Sequence, residues 1–407
     1  MVSMNPTVLI SGASIAGPAL AYWLHLYGYD VTVVERAAAL REGGQNVDVR
    51  GAGREVSRRM GVEDAIRAAS TGEVGLRFVD AGGQTIGAFP VGTSDSGGAT
   101  AELEILRGDL ARLLVERTQD DATYVYGDHI TGLDERADRV HVTFAHGPEQ
   151  SFDLVVAADG IRSTTRTLVV GDEAEVKPLG MYTAWMTIPK TASDDAWWRW
   201  FNAPGGRSVN LRPDNVGTTR ATLSFMSEPQ GYERLDTAGV KDLLRQHFAG
   251  VGWEVPRILA ALDETDVYFE AIGQVRAPHW SRGRVALLGD AAYCASPISG
   301  MGTSLALTGA YVLAGELSRQ PDHVQAFAAY EKIMRPYVDQ AQQLPPGTPQ
   351  VANPRTRIGV AAFHTAVRIG ATKLVSKLVG KVLTPPADKI DLPDYEAITQ
   401  PGRRPIK

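Results

Sequence analysis

Cysteine is almost absent: Cys294 is the one thiol in a chain of 407 residues. A lone thiol closes no intramolecular disulfide, so folding requires no oxidising compartment. Long apolar runs are missing too; none reaches the roughly 18 residues that mark a membrane-spanning helix. The opening Met1-Val-Ser-Met-Asn-Pro lacks the basic-then-apolar pattern of a secretory signal. These absences together predict a cytoplasmic protein without a transmembrane segment. There is no basic excess either, with 41 Lys+Arg against 47 Asp+Glu. That balance, without a basic stripe, argues against nucleic acid and for a small-molecule partner. The eight histidines show no His-x-x-x-His or comparable ligand spacing, so no metal site is expected.

What the chain does have is enough apolar sequence, 44% against 22% charged, for two compact lobes with a sizeable core. Thr7 to Ser11 is an apolar run stopped by glycine, the mark of a buried parallel strand. Helical spacing follows from Ile15 to Tyr27, then a second strand from Asp30 to Glu35, completing a βαβ unit. Further on, Glu55 to Ala69 and Arg107 to Thr118 have helical periodicity, while Val74 to Phe89, Tyr124 to Tyr126, Val140 to Phe144 and Phe152 to Ala157 are predicted strands. Residues 179 to 275 carry many short β runs and one helix, Thr237 to Phe248. Arg284 to Leu288 is another strand, and the remainder is mainly helical. The prolines of Leu344 to Pro354 forbid continuous helix and suggest a linker. A basic amphipathic helix is expected from Ile358 to Leu383, packing against the lobe in preference to lying on a membrane surface.

Strand–helix alternation at both ends around a β-rich middle predicts an α/β protein whose nucleotide-binding lobe is discontinuous. The expected division is residues 1–73, 100–175 and 277–345 for a Rossmann-like nucleotide-binding domain. Residues 74–99 and 176–276 would form an inserted β-sheet substrate domain, and 346–407 a helical C-terminal region.

The first chemical motif is Gly12-Ala-Ser14-Ile15-Ala16-Gly17, between the first strand and first helix. Gly12 permits the tight turn, Gly17 lets helix and strand approach, and the helix amino terminus offers free N–H groups to a diphosphate. Ser14 stands where the second glycine of G-x-G-x-x-G is usual. Glu35, with Arg36 after it, ends the second strand where an acid accepts hydrogen bonds from a ribose. A carboxylate there repels a 2′-phosphate, so the site suits FAD or NAD. Up to this point the motif does not separate the two.

Three later segments resemble the FAD-dependent monooxygenases of the para-hydroxybenzoate hydroxylase type. Arg107-Gly-Asp-Leu110 matches the helix whose opening arginine reaches FAD in that family. Ala158-Asp159-Gly160, followed by Arg162 and Arg166, resembles the family's D-G motif, which approaches both FAD and the nicotinamide cofactor. The two arginines are read as holding the next helix by salt bridges. Gly283 to Ala292, containing Gly289-Asp290, with Pro297 and Gly300-Met301-Gly302, resembles the G-D motif. The resemblance implies that Asp290 hydrogen-bonds the ribityl chain and that the helix beginning near Thr303 points its N–H groups at the flavin ring. A carboxylate at the end of a buried strand is costly unless such donors satisfy it. The resemblance covers about residues 7 to 345, with Tyr293 in place of a common histidine and Thr303-Ser304 in place of an asparagine. The Gly-Met-Gly-Thr-Ser run looks most like the tetracycline-inactivating branch.

Such a resemblance implies that NADPH or NADH reduces FAD, and that oxygen reaches an aromatic or polyketide-like substrate through a flavin C4a-hydroperoxide. The cofactor carries that chemistry, so no protein nucleophile is required and no catalytic residue is assigned. Arg50, in the glycine-rich stretch from Gly43 to Gly51, either touches the flavin or nicotinamide or is solvated. Trp185, Met186, Arg212, Phe225 and Met226 are candidates for the substrate pocket, and Trp197-Trp198-Arg199-Trp200 either closes one side of it or packs the sheet. Two alternatives stay open. A flavin-dependent halogenase shares the fold but usually carries W-x-W-x-I-P, of which Trp185-Met-Thr-Ile-Pro189 keeps only the end. A flavoprotein that binds a ligand without turnover would also carry intact FAD motifs.

Overall fold

The computed structural model describes residues 5–41, 44–91, 103–345, 347–372 and 390–395. Among these, the strands Ser281–Arg282, Val285–Leu287, Leu154–Ala157, Thr7–Ser11, Asp30–Glu35 and Ala122–Tyr126 form one sheet in that order. Its pairings are parallel except that of Ser281–Arg282 with Val285–Leu287. Val8, Leu9, Ile10, Val155 and Val156 have no exposed surface. Apolar runs without alternation are what a sheet covered on both faces demands. Helices Ala16–Leu26 and Gly302–Arg319 pack against each other beside it.

A second sheet runs in the order Val267–Arg276, Glu175–Pro189, Thr218–Met226, Arg207–Pro213, Trp198–Ala203, Gly75–Val79, Thr85–Pro90. Here the sequence alternates, and so does the environment. Ala184, Met186, Val209, Leu211, Ala221, Leu223 and Phe225 form a core with Val240, Leu244 and Phe248 of the helix Thr237–Phe248. The residues between them, such as Thr183, Asn210 and Ser224, point to the opposite face. That opposite face carries the helix Arg357–Gly370, whose Phe363 and Val367 pack with Phe78, Trp198 and Trp200.

The amphipathic helix therefore lies on the sheet lobe; the part of its expected span beyond Thr372 falls outside the described residues, as does Gly43. Three other expectations need correction. The helix expected over Glu55 to Ala69 is two, Gly51–Arg59 and Glu63–Ala68, because Gly61 takes a left-handed φ of 73° between them. Phe152 to Ala157 is two strands in different sheets, Gln150–Phe152 and Leu154–Ala157. Between them the Asp153 carboxylate accepts the Thr7 N–H and hydroxyl, both at 2.7 Å. The proline-rich linker contains a short helix, Thr348–Ala352; Pro349 is in its first turn, where no N–H is needed.

Candidate active site

Three glycine-rich turns, one near the start of the chain and two from a single later stretch, meet at the carboxyl ends of the parallel strands. Gly12 has φ 110° and donates its N–H to the Val34 carbonyl at 2.7 Å. A methyl group there would collide with the Ala158 carbonyl, and one on Gly17 with the Gly12 carbonyl. Both positions thus need glycine for close approach. A methyl built on Gly289, at φ 63°, would lie 3.1 Å from the Ala16 side chain, and one on Gly302 would lie 4.0 Å from Asp290 Oδ1. The first turn, the Gly289–Asp290 turn and the Gly300–Gly302 turn therefore surround one space. Neither the helix Ala16–Leu26, entered through Ile15, nor Gly302–Arg319 has a side chain capping its amino terminus. Their first N–H groups and positive dipole ends are left for another acceptor.

Asp290 shows what kind of space this is. Its side chain is accessible, yet burial raises its carboxyl above the ordinary carboxylate value, with Arg107 pulling the other way. A side chain that is accessible and yet surrounded by protein sits in a recess. Tyr268 is likewise 43% exposed, while burial pushes its phenol upward. Asp290 closely follows the buried strand Val285–Leu287 and starts the short helix Asp290–Tyr293.

Around this slot, Glu35 accepts the Ala13 and Ala37 N–H groups, each at 2.9 Å, which fixes its carboxylate beside the Gly12–Gly17 turn. Exposed Arg36 donates to Thr164 Oγ1 at 2.9 Å. Arg107 is held at Gln45, whose carbonyl accepts its backbone N–H at 2.9 Å. Asp159 turns inward to its own helix, accepting the Ser163 hydroxyl and, at 2.9 Å, that of Thr165. Its side chain is taken, which leaves its backbone and the open Gly160 turn, φ 85°, to face the slot. Arg166 anchors the helix as expected but through carbonyls, Ala291 at 3.1 Å and Ile161 at 2.9 Å. Ser14 is half-buried in the first turn, and Pro297 opens the single 3-10 turn before Gly300. Met301 has no exposed surface, so its side chain belongs to the core.

Several pocket expectations are overturned. Arg50 is 1% exposed and donates to Asp48 Oδ2 at 2.7 and 3.1 Å, so a solvated role fails. Phe225 lies on the helix-covered face, stacked 4.1 Å from His247. Arg212 faces the other way, but Glu73 takes its guanidinium at 2.8 and 3.0 Å and Glu104 at 2.8 Å, under the Trp198 ring. It is a structural cation. Met226 is packed against Gly206 at its strand end. Trp185 is half-buried on the open face, 5.6 Å from the Tyr268 ring. Cross-strand register adds residues that sequence reasoning missed: Glu270, Thr183, Ser224 and Ser208 lie in one polar row across the sheet. The alternation in Ser208-Val-Asn-Leu-Arg212 was the available signal for Ser208.

The two lobes join at this point, where the Val275 N–H of the sheet's edge strand donates to the Cys294 carbonyl at 3.1 Å. With the geometry set, comparison with known proteins decides the family: residues 5–343 match the family model described as an FAD binding domain. The chain belongs to the FAD-dependent aromatic hydroxylases. A flavin-dependent monooxygenase from an unknown prokaryotic organism is 41% identical over 347 residues, covering 82% of this chain and 87% of that protein. The flavin-dependent monooxygenase eupH of Phoma sp is 36% identical, covering 95% and 97%. Among solved structures, tetracycline destructase Tet(51) superposes with a TM-score of 0.80 at 30% identity, covering 97% of this chain and all of that one. This hydroxylase is a flavoprotein enzyme, a monooxygenase with FAD as its cofactor. The glycine cradle, the two uncapped helix ends and the enclosed Asp290 fit an extended, diphosphate-bearing cofactor. Among its described residues, no helix is long and apolar enough to cross a membrane, and no cluster of three or more His, Cys, Asp or Glu could hold a metal.

Proposed function

We propose that this monooxygenase hydroxylates an aromatic or polyketide-like small molecule in the cytoplasm, drawing electrons from NADPH or NADH. The observation that carries this reading is the meeting of a polar–aromatic sheet face, with Trp185, Tyr268 and Glu270, with the Asp290 turn at the edge strand. A planar, oxygenated molecule lying there would have aromatic surface beside it and hydroxyl partners beneath it.

In this reading Gly12, Ser14, Ile15, Ala16 and Gly17 hold the diphosphate against the first helix end, with Glu35 on the ribose and Arg36 at the rim. Arg107 balances charge, Gly160 with the Asp159 backbone leaves room for approach, and Gly289 with Asp290 grips the ribityl chain. Pro297, Gly300, the Met301 backbone and Gly302 direct the second helix end at the ring, favouring negative charge there. Bound FAD supplies the reduction and oxygen activation. The chain itself orients the substrate and keeps the slot dry.

The test is to follow NADPH oxidation and oxygen uptake of the purified holoenzyme against a panel of phenols and polyketides. Substrate-stimulated uptake with a product heavier by one oxygen atom is expected. Uptake yielding only peroxide with every compound contradicts the proposal.

A further inference from the structure

Glu270 is a buried carboxylate that the fold satisfies only in part, with the Tyr268 phenol as a hydrogen-bond donor. It is 8% exposed, and its Oε1 is buried without a hydrogen-bond partner. The nearest cation, Arg162, stops at 4.0 Å and spends a guanidinium N–H on the Phe269 carbonyl at 3.0 Å. A purely structural acid so deeply placed would be expected to have its oxygens satisfied. Its strand, Val267–Arg276, is the edge strand that bonds to the Asp290 segment, and alternation puts Glu270 on the same open face as Tyr268. The groups facing it come from four elements: Tyr268 on its own strand, Arg162 after the Gly160 turn, Asp290, and Arg107. Cys294 also feels its charge.

Resting on the hydroxylase reading above, we infer that Glu270 is the proton acceptor for an acidic phenol or enol hydroxyl of the substrate, with Arg162 as its counter-charge. The substrate O–H bond breaks and a Glu270 O–H bond forms. The electron pair stays on the substrate oxygen and spreads into the ring, enriching the carbon to be hydroxylated. The proton leaves to solvent after turnover. Burial and the Asp290 charge raise the Glu270 carboxyl against the pull of Arg162 and Arg107, which brings its basicity closer to that of a phenolate and improves it as a base. Arg162, half-exposed at 4.0 Å, is the counter-charge of the Glu270 carboxylate before it takes the proton.

The experiment compares wild type, Glu270→Gln and Glu270→Asp as holoenzymes. For a phenol hydroxylated by the wild type, Glu270→Gln is expected to lose about 10²- to 10⁴-fold in kcat/KM below the phenol's own pKa. That loss should shrink as rising pH ionises the phenol in solution, and Glu270→Asp should restore part of it. A second readout uses alizarin, a polyphenolic dye whose colour reports its own ionisation: bound to wild type it should be shifted toward the anion relative to Glu270→Gln. Equal kcat/KM across pH, a loss independent of pH, or an alizarin spectrum that is the same in both proteins or stays that of the free dye overturns the assignment. A wild type that hydroxylates no compound refutes the parent reading instead, and is told apart by that failure.

Discussion

Ser304 holds the backbone of Arg50 from both sides: its hydroxyl donates to the Arg50 carbonyl at 3.0 Å and accepts the Arg50 N–H at 3.2 Å. A residue in the helix Gly302–Arg319 thereby fixes the short connection between the strand Asn46–Asp48 and the helix Gly51–Arg59. Gly53 sits against the same serine, where a methyl group would come within 2.7 Å of its Cα.

Ser304→Ala removes the hydroxyl that accepts the buried Arg50 N–H, while the Arg50 carbonyl keeps the Gly53 N–H at 2.9 Å and the Arg54 N–H at 3.3 Å. The expected loss is about 1–3 kcal/mol of stability, measured by chemical denaturation, with FAD dissociating faster from the loosened loop. A variant as stable as wild type would show that water replaces the hydroxyl.

The Arg212 cluster gives a pH-dependent outcome. Burial, joined by the like charge of Glu104, holds the Glu73 carboxyl well above the usual carboxylate range despite the pull of Arg212. A pKa raised on folding means that the native state binds the proton more tightly than the unfolded chain. The associated stability is complete below the unfolded value and is lost as pH rises through the folded one. Glu73→Gln, which mimics the protonated form, should therefore flatten the decline of thermal stability from mildly acidic to alkaline pH. Arg212→Met, which leaves two carboxylates buried, should cost about 3–5 kcal/mol and show the steepest decline.

How much of this was legible beforehand depended on the range of the interaction. The runs Thr7–Ser11 and Asp30–Glu35 and the glycines between them declare themselves locally, because apolar periodicity and φ requirements are properties of neighbouring residues. Phe225 was misplaced although its parity with Ala221 and Leu223 in the strand Thr218–Met226 assigns it to the helix-covered face. Parity puts Arg212 on the correct face, but the acids that occupy it, Glu73 and Glu104, come from far along the chain and leave no trace near it. Glu270 is one acid in an apolar strand; only the approach of Arg162 and Asp290 across the lobe junction gives it meaning.

Residues 390–395 return to the nucleotide-binding lobe through Tyr395, which has no exposed surface. Its hydroxyl donates to Glu316 Oε1 at 2.6 Å, and its ring covers Gly315, where any side chain would overlap it. Tyr395→Phe should cost about 1–3 kcal/mol by leaving a buried carboxylate oxygen short of a donor. Gly315→Ala should expel the ring altogether, seen as protease cleavage near the C-terminal end of the chain. Resistance equal to wild type would contradict this docking.

The convergence of separate turns on one extended cofactor is tested most directly by titrating FAD into deflavinated wild type and Asp290→Ala and measuring Kd. Loss of a charged acceptor for ribityl hydroxyls, worth about 1.5–3 kcal/mol, should weaken binding by roughly 10- to 100-fold. Equal affinity in the two proteins, or a wild type that takes up no flavin, would contradict the account.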